Sequence, residues 1–173
     1  MMYNKNKFLL YLSRFAEVYP VGHSRYAPGT IGSLVGILIG YFLFLNLDIE
    51  LYLIFLFIFI IISYLLCEAH IKLHNKKDPK EVVIDEIAGQ FVAILGCIQS
   101  QKFSYVFLSL ISSFILFRFF DITKVGPIKK FENLPNGIGI IADDIIAGLF
   151  AFITQAAILT SLNQNIYFKT LWN

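Results

Sequence analysis

Residues 51–67 read LYLIFLFIFIIISYLLC and contain no charged side chain. A helix needs roughly 17–25 predominantly apolar residues to cross the hydrocarbon of a bilayer. This stretch therefore predicts a membrane-spanning helix, and it points to a membrane protein.

The composition of the whole chain agrees with a membrane protein. Of its 173 residues, 57% are hydrophobic and 15% are charged, whereas soluble domains carry about 25% charged residues. Membrane lipids are the expected surroundings, and no nucleic-acid partner is expected.

Apolar runs of similar length recur along the chain and predict an all-α, polytopic membrane helical bundle of about five transmembrane helices. The predicted spans cover residues 31–47, 51–67, 82–98, 103–120 and 138–161. Residues 8–19, FLLYLSRFAEVY, predict a short N-terminal amphipathic helix on the membrane surface, because Arg14 and Glu17 interrupt its apolar pattern. We expect a single domain over residues 1–173, made of an interfacial segment (1–26), a membrane bundle (27–161) and a tail (162–173).

Basic residues are distributed unevenly between the predicted loops. With the N-terminus in the cytoplasm, the outer segments hold only Lys102 and Lys169, and nearly all other Lys and Arg residues fall inside. The positive-inside rule therefore predicts a multi-pass protein of the bacterial cytoplasmic (inner) membrane with its N-terminus inside. Five spans would place the C-terminus outside.

Acidic residues stand at the ends of the strongly apolar segments. They are Asp85 and Glu86 in VVIDEIAGQ, Asp121 in FRFFDITK, and Asp143 and Asp144 in GIIADDIIAG. An acid at a bilayer centre costs roughly 2.5–3.5 kcal/mol on insertion scales, so membrane helices seldom keep one without a function. The predicted topology puts all five at the cytoplasmic face, where they would converge on one site.

These acids have the chemistry of a Mg²⁺ site. Mg²⁺ takes carboxylate oxygens and keeps several waters, so two to four acids and a substrate phosphate would satisfy it. Adjacent helical residues point about 100° apart, so one member of each acidic pair could be a ligand and the other a base. Helix capping is the alternative explanation for Asp85 or Asp143, and an ion pair with Arg118 is the alternative for Asp121.

The sequence APGTIGS, residues 27–33, predicts a turn that opens the first span. Free backbone N–H groups at a helix N-terminus favour phosphate, and the hydroxyls of Thr30 and Ser33 could add contacts. Capping by Thr30 and close packing of a stripe formed by Gly32, Gly36 and Gly40 are compatible structural explanations. A homodimer through that glycine stripe is left open.

Cationic residues surround Asp121 in FRFFDITKVGPIKK. Arg118 and Lys124 are predicted substrate contacts, while Lys129 and Lys130 are assigned to anionic lipid headgroups. His23 lies seven residues before Thr30 and is predicted as a proton donor or substrate contact. His70 and His74, spaced i, i+4, are interpreted as the interfacial end of the second span, with metal binding as the alternative.

Four motifs in order, APGTIGSL, VVIDEIAGQ, FRFFDITKVGPI and GIGIIADDIIAG, resemble those of the phosphatidylglycerophosphatase A family. The resemblance implies a Mg²⁺-dependent phosphatase that converts phosphatidylglycerophosphate to phosphatidylglycerol. Its acidic functional positions would be Asp85, Glu86, Asp121, Asp143 and Asp144, with Thr30, Arg118 and Lys124 alongside. The chain departs from the family pattern at residues 124–127, which read KVGP where Lys-Pro-x-Pro is usual.

Two mechanisms and three other functional classes stay open at this point. For a phosphatase, attack by water with one acid as the base is preferred over an aspartyl-phosphate intermediate on Asp85 or Asp143. A covalent cysteine phosphatase is not expected, because neither Cys67 nor Cys97 is followed by the arginine of a phosphate-binding loop. A cation- or proton-coupled transporter would also use intramembrane acids, but near the midplane. A CDP-alcohol phosphotransferase would need DGxxAR followed by GxxxDxxxD, which is absent. A lipid-binding scaffold would leave the acids unexplained.

Overall fold

The computed structural model describes residues 2–76, 79–97 and 103–162. The predicted tail from residue 163 onward, the loop lysines Lys77, Lys102 and Lys169, and the predicted end of the third span at Ile98 lie outside these residues.

The described residues form helices joined by turns and irregular segments and contain no strand, which confirms the predicted fold class. Seven α-helices follow one another: α1 (Met2–Ala16), α2 (Pro28–Asn46), α3 (Ile49–His74), α4 (Ile84–Ile94), α5 (Phe103–Thr123), α6 (Ile128–Glu132) and α7 (Asn136–Leu162). A single 3₁₀ turn, Val21–His23, lies between α1 and α2.

Four helices, α2, α3, α5 and α7, are long and apolar enough to cross a bilayer, judged by length and composition. The difference from the five predicted spans lies in the third, where α4 has only 11 residues. At 1.5 Å per residue α4 is about 16 Å long, roughly half of the ~30 Å hydrocarbon thickness.

Helix α4 is apolar because it lies inside the bundle. Nearly all of its residues are buried, and it contacts α2, α3, α5 and α7. A helix surrounded by other helices needs apolar side chains on every face, and the sequence pattern of such a helix resembles that of a lipid-facing span. The prediction of a full-length third span was wrong for this reason.

The glycine stripe of α2 packs against α4 of the same chain. A Cβ added at Gly32 would lie 2.9 Å from Val83 Cβ, and one at Gly36 would lie 3.1 Å from Ile87 Cα. Small residues let two membrane helices approach closely. The glycine stripe therefore serves close packing between α2 and α4, as predicted. Because α4 covers the stripe, it is not available for a homodimer contact.

Helices α4 and α7 also meet through glycines. A Cβ at Gly148 would overlap the carbonyl of Gly89, and a Cβ at Gly89 would lie 2.6 Å from the carbonyl oxygen of Asp144. This close approach brings the first turn of α4, with Asp85 and Glu86, next to the acids of α7.

Helix α1 lies against α3 and includes most of the predicted N-terminal amphipathic segment. Ala16 packs with Leu66 and Cys67, and its carbonyl accepts a hydrogen bond from Val83 N at 3.1 Å. On the other side of α1, Phe8, Tyr11 and Phe15 are exposed, as in an amphipathic helix.

Candidate active site

A cavity of about 530 Å³ opens at the end of the bundle where α2, α4 and α7 begin and α5 ends. Most of the predicted site residues line it: Thr30, Asp85, Glu86, Arg118, Asp121, Lys124, Asp143 and Asp144. The fold therefore brings the acids and cations of three sequence motifs, and Thr30 of a fourth, into one space.

Three carboxylates form the centre of the cavity wall. One oxygen from each of Asp85, Glu86 and Asp144 lies within 4.8 Å of the others. Asp85 is 7% exposed and Asp144 is 3% exposed. Asp85 Oδ1, Glu86 Oε2 and Asp144 Oδ1 are buried without a hydrogen-bond partner among the described residues.

The charge state of this cluster depends on a positive partner. Burial, and then the neighbouring Asp85 carboxylate, raise the pKa of Glu86 well above its ordinary value. Burial likewise raises the pKa of Asp85. Buried carboxylates close together repel unless a cation neutralises them, and their unpartnered oxygens are the hard ligands that Mg²⁺ prefers. The residues present therefore fit a divalent metal ion.

Lys124 joins the two remaining acids. Its Nζ lies 3.2 Å from Asp121 Oδ1 and forms a second ion pair with Asp143 Oδ2. Burial lowers the pKa of Lys124, but the hydrogen bond to Asp143 and the surrounding carboxylates outweigh it, so the pKa is raised. The residue has φ +47° and caps α5 through its N–H to Phe120 O, at 2.9 Å. This left-handed end of the helix, followed by Gly126 and Pro127, turns the chain toward α6.

Arg118 is fixed by residues from two helices. Its Nη1 lies 2.6 Å from Asp121 Oδ2, so the ion pair considered from sequence is present. The same nitrogen lies 3.4 Å from Ser33 Oγ, which donates to Gly29 O at 2.9 Å. Ser33 does not line the cavity; its hydroxyl contacts Arg118 instead. The guanidinium thus faces the cavity with one side held.

The first turn of α2 forms part of the cavity wall. Ala27 precedes the helix with φ +42°, and Pro28 occupies its first position, where the absent N–H costs nothing. The first-turn amides of Gly29 and Thr30 lie at the positive end of the helix dipole. A Cβ at Gly29 would overlap the Glu86 carboxylate and lie 3.5 Å from Arg118 Nη1.

Gly29→Ala is expected to reduce activity without lowering stability. The added methyl meets the flexible end of Glu86 rather than backbone, so Glu86 must move away, and alanine is the better helix former by up to about 1 kcal/mol. We expect at least a 10-fold lower kcat/KM, on the scale of a perturbed metal-site neighbour, with a melting temperature that is unchanged or higher.

The double variant Gly29→Ala/Glu86→Gln tests this reason. If the methyl acts by displacing Glu86, the double variant will be no less active than Glu86→Gln alone, because the two changes remove the same interaction. Fully additive losses would contradict the explanation.

Two predicted contacts, Ser33 and His23, lie outside the cavity lining, and several residues of the lining were not predicted. His23 is outside the cavity lining; its Nδ1 lies 3.5 Å from Glu17 Oε2 and its ring contacts Tyr19. The lining also includes Gly29, Lys80, Lys129, Glu132, Asn133 and Asn136. Lys129, which the sequence predicts to meet lipid headgroups, therefore also faces the cavity. The sequence signal for Gly29 is the PGT motif to which it belongs. The other residues reach the cavity because of the course of the loops, which has no clear sequence signal.

The fold and the site describe an integral membrane protein whose cavity combines cations and closely spaced carboxylates at one end of the helices, an arrangement suited to a phosphatase. The chain belongs to the phosphatidylglycerophosphatase A family, which matches residues 14–159. The family resemblance drawn from the four motifs is thereby confirmed.

Three curated relatives align over about three quarters of the chain. Phosphatidylglycerophosphatase A of Haemophilus influenzae is 38% identical over 133 residues, covering 76% of this chain and 78% of that protein. Phosphatidylglycerophosphatase A of Escherichia coli is 31% identical over 131 residues, covering 75% and 73%. A Bacteroides thetaiotaomicron protein named "Putative phosphatidylinositol-3-phosphatase" is 33% identical over 138 residues, covering 78% and 85%. No solved structure matches the chain.

Proposed function

We propose that this protein is a Mg²⁺-dependent lipid phosphatase of phospholipid biosynthesis. It hydrolyses the terminal phosphomonoester of phosphatidylglycerophosphate to phosphatidylglycerol and inorganic phosphate. The observation that carries the proposal is the cluster of three carboxylates, each with a buried, unpartnered oxygen, in the same cavity as Arg118 and Lys124. The names of two relatives support the choice of lipid.

Asp85, Glu86 and Asp144 would hold the metal ion. When bound, Mg²⁺ supplies charge neutralisation for the phosphoryl oxygens, which is much of what phosphoryl transfer needs. The cluster is more oxygen-rich than a zinc site, because it contains neither histidine nor cysteine.

The cations and the α2 turn bind the terminal phosphate. Arg118 presents a planar fork of N–H donors that matches phosphate oxygens. Lys124 adds a point charge, and the amides of Gly29 and Thr30 add fixed dipoles at a helix N-terminus. These donors hold the phosphorus in position for attack and need little rearrangement during the reaction.

A water molecule attacks the phosphorus while an acid outside the three-carboxylate cluster takes its proton. Asp121 and Asp143 are the two candidates for this base, since both line the cavity and both pair with Lys124. The new bond joins water oxygen to phosphorus, the ester P–O bond breaks, and the glycerol oxygen leaves with a proton. The acyl chains remain in the bilayer beside the helix ends.

The site faces the cytoplasm of the inner membrane. Lys80, Lys124 and Lys129 line the cavity, and basic residues concentrate on the inner side of bacterial membrane proteins. The same end of the bundle carries the C-terminus of α3, with Lys72 and His74 in its last turn.

Phosphate release from defined lipids tests the proposal. The purified protein is assayed in detergent with phosphatidylglycerophosphate, phosphatidic acid and phosphatidylinositol 3-phosphate, each with Mg²⁺, with chelator, and after Mg²⁺ is restored. We expect release from phosphatidylglycerophosphate that disappears with chelator and returns with Mg²⁺. A preference for the inositol lipid would contradict the proposed substrate. Release that does not depend on a metal ion would contradict the proposed Mg²⁺ dependence.

A further inference from the structure

A second polar cluster lies between α1 and α3, outside the cavity of the acid site. It consists of Ser13 and Glu17 at the end of α1 and of His70 and His74 in the last turns of α3, and we call it the histidine cluster. The phosphatase reaction does not use it.

The side chains of the histidine cluster converge on one point. Ser13 Oγ lies 3.1 Å from Glu17 Oε1, 2.9 Å from His70 Nδ1 and 3.1 Å from His74 Nε2. One ligand atom from each of Glu17, His70 and His74 lies within 4.8 Å of the other two. Three atoms with metal-binding lone pairs thus surround a small volume.

The sequence spacing explains why two histidines meet there. Residues four apart lie on the same face of a helix, and the rings of His70 and His74 are 4.4 Å apart between centroids. Two histidines at i, i+4 on one helix form half of many zinc sites. The third ligand is the carboxylate of Glu17, which directly follows α1 and lies one helical turn after Ser13.

The carboxylate is already oriented toward the histidines. Glu17 is 4% exposed, and its Oε2 is held by Arg14 Nη1 at 3.4 Å and by His23 Nδ1 at 3.5 Å. Its Oε1 is left for Ser13 and for His70 Nδ1, at 3.6 Å. Outer partners that fix a ligand in this way are typical of metal centres.

We propose that Glu17, His70 and His74 form a Zn²⁺ site that clasps α1 to α3. Two imidazoles and one carboxylate suit zinc, whereas Mg²⁺ prefers oxygen ligands alone. His70 is 2% exposed and His74 is exposed, so the ion reaches the site from the side of His74. In the bound form the ion replaces the Ser13 hydroxyl as the shared partner of the three ligands.

Zinc binding is measured on the metal-free full-length protein by competition with a chromophoric chelator. Millimolar Mg²⁺ is kept present so that the acid site is occupied by its preferred ion. We expect one Zn²⁺ per chain and a higher melting temperature with zinc. His74→Ala is expected to weaken zinc binding by at least about 10-fold, the scale on which even an outer partner acts. This residue is exposed, so the variant keeps its fold.

Two further variants separate a metal site from a hydrogen-bonded cluster. His23→Gln removes the remaining histidine of the chain, which contacts Glu17 as an outer partner and is not one of the three ligands, so it is expected to weaken zinc binding clearly less than His74→Ala does. Ser13→Ala is expected to leave zinc affinity unchanged, although it removes the centre of the hydrogen bonds. The proposal is overturned if no zinc binds in the presence of Mg²⁺, or if His74→Ala binds zinc as tightly as the unchanged protein.

Discussion

Replacing Asp144 by asparagine is expected to abolish phosphate release from the lipid substrate. The change removes the most buried acid of the three-carboxylate cluster, whose Oδ1 has no hydrogen-bond partner among the described residues. A neutral amide there offers a weaker ligand oxygen and a donor that points at two carboxylates. We expect kcat to fall by about 10³-fold, the upper range for losing one electrostatic group in a catalytic site.

The measurement is phosphate release at saturating lipid over a range of Mg²⁺ concentrations. Asp48→Asn is the matched control, because Asp48 is exposed and lies just before α3, at the other end of that helix from His74. The control should retain full activity. Stability provides a second check: removing a buried negative charge from a repelling cluster should leave the melting temperature of Asp144→Asn unchanged or raised. Undiminished activity in folded Asp144→Asn would rule out the proposed metal cluster.

Changing Arg118 to lysine is expected to have the second largest effect, although the charge is kept. One side of the guanidinium is held, because Nη1 lies 2.6 Å from Asp121 Oδ2 and 3.4 Å from Ser33 Oγ. Lysine can neutralise Asp121, but it cannot present a planar fork to a phosphate at the same time. We expect kcat/KM to fall by about 10²-fold, as for the loss of one fixed donor.

The matched substitution Arg25→Lys, at an exposed position before α2, should be neutral. Ser33→Ala should have an intermediate effect on kcat/KM, since Ser33 acts only through Arg118. If Arg118→Lys kept full activity, Arg118 would be an ion-pair partner of Asp121 alone. An ion pair of this kind is the alternative explanation for Asp121 that the sequence offers.

Much of the architecture is readable from the sequence because a bilayer imposes its thickness on the chain. Apolar length predicted α2, α3, α5 and α7, and the acids stood out because an acid in an apolar segment needs a reason. The positions of those acids at helix ends also placed them at one end of the bundle. The three helices that carry them, α4, α5 and α7, do meet around one cavity.

Other features depend on tertiary packing and had no clear sequence signal. An internal helix and a lipid-facing helix share one composition, so the length of α4 could not be read from its residues. Ser33 was predicted as a substrate contact, yet it is fully buried and bonds Arg118. His23 lies close to Thr30 in sequence, but the 3₁₀ turn before Ser24 directs it toward Glu17.

The arrangement of the acids also bears on the transporter alternative. Transport sites lie near the bilayer midplane between broken helices, with access to both sides in turn. Here the acids share a cavity at the helix ends with the start of α2 and the short helix α6. This arrangement favours chemistry on a headgroup over passage of an ion.

The enclosure of α4 by other helices affects which parts of the protein can unfold locally and exchange their amide hydrogens. Its backbone amides are covered by four neighbouring helices, so hydrogen exchange there requires unfolding of the whole bundle, whereas short surface elements such as α6 open locally. Deuterium uptake should therefore be slowest in residues 84–94 and much faster in residues 128–134. Asp85 and Glu86 would then lie on the least mobile segment. The part of the cavity rim formed by α6 could still open locally and admit a lipid headgroup.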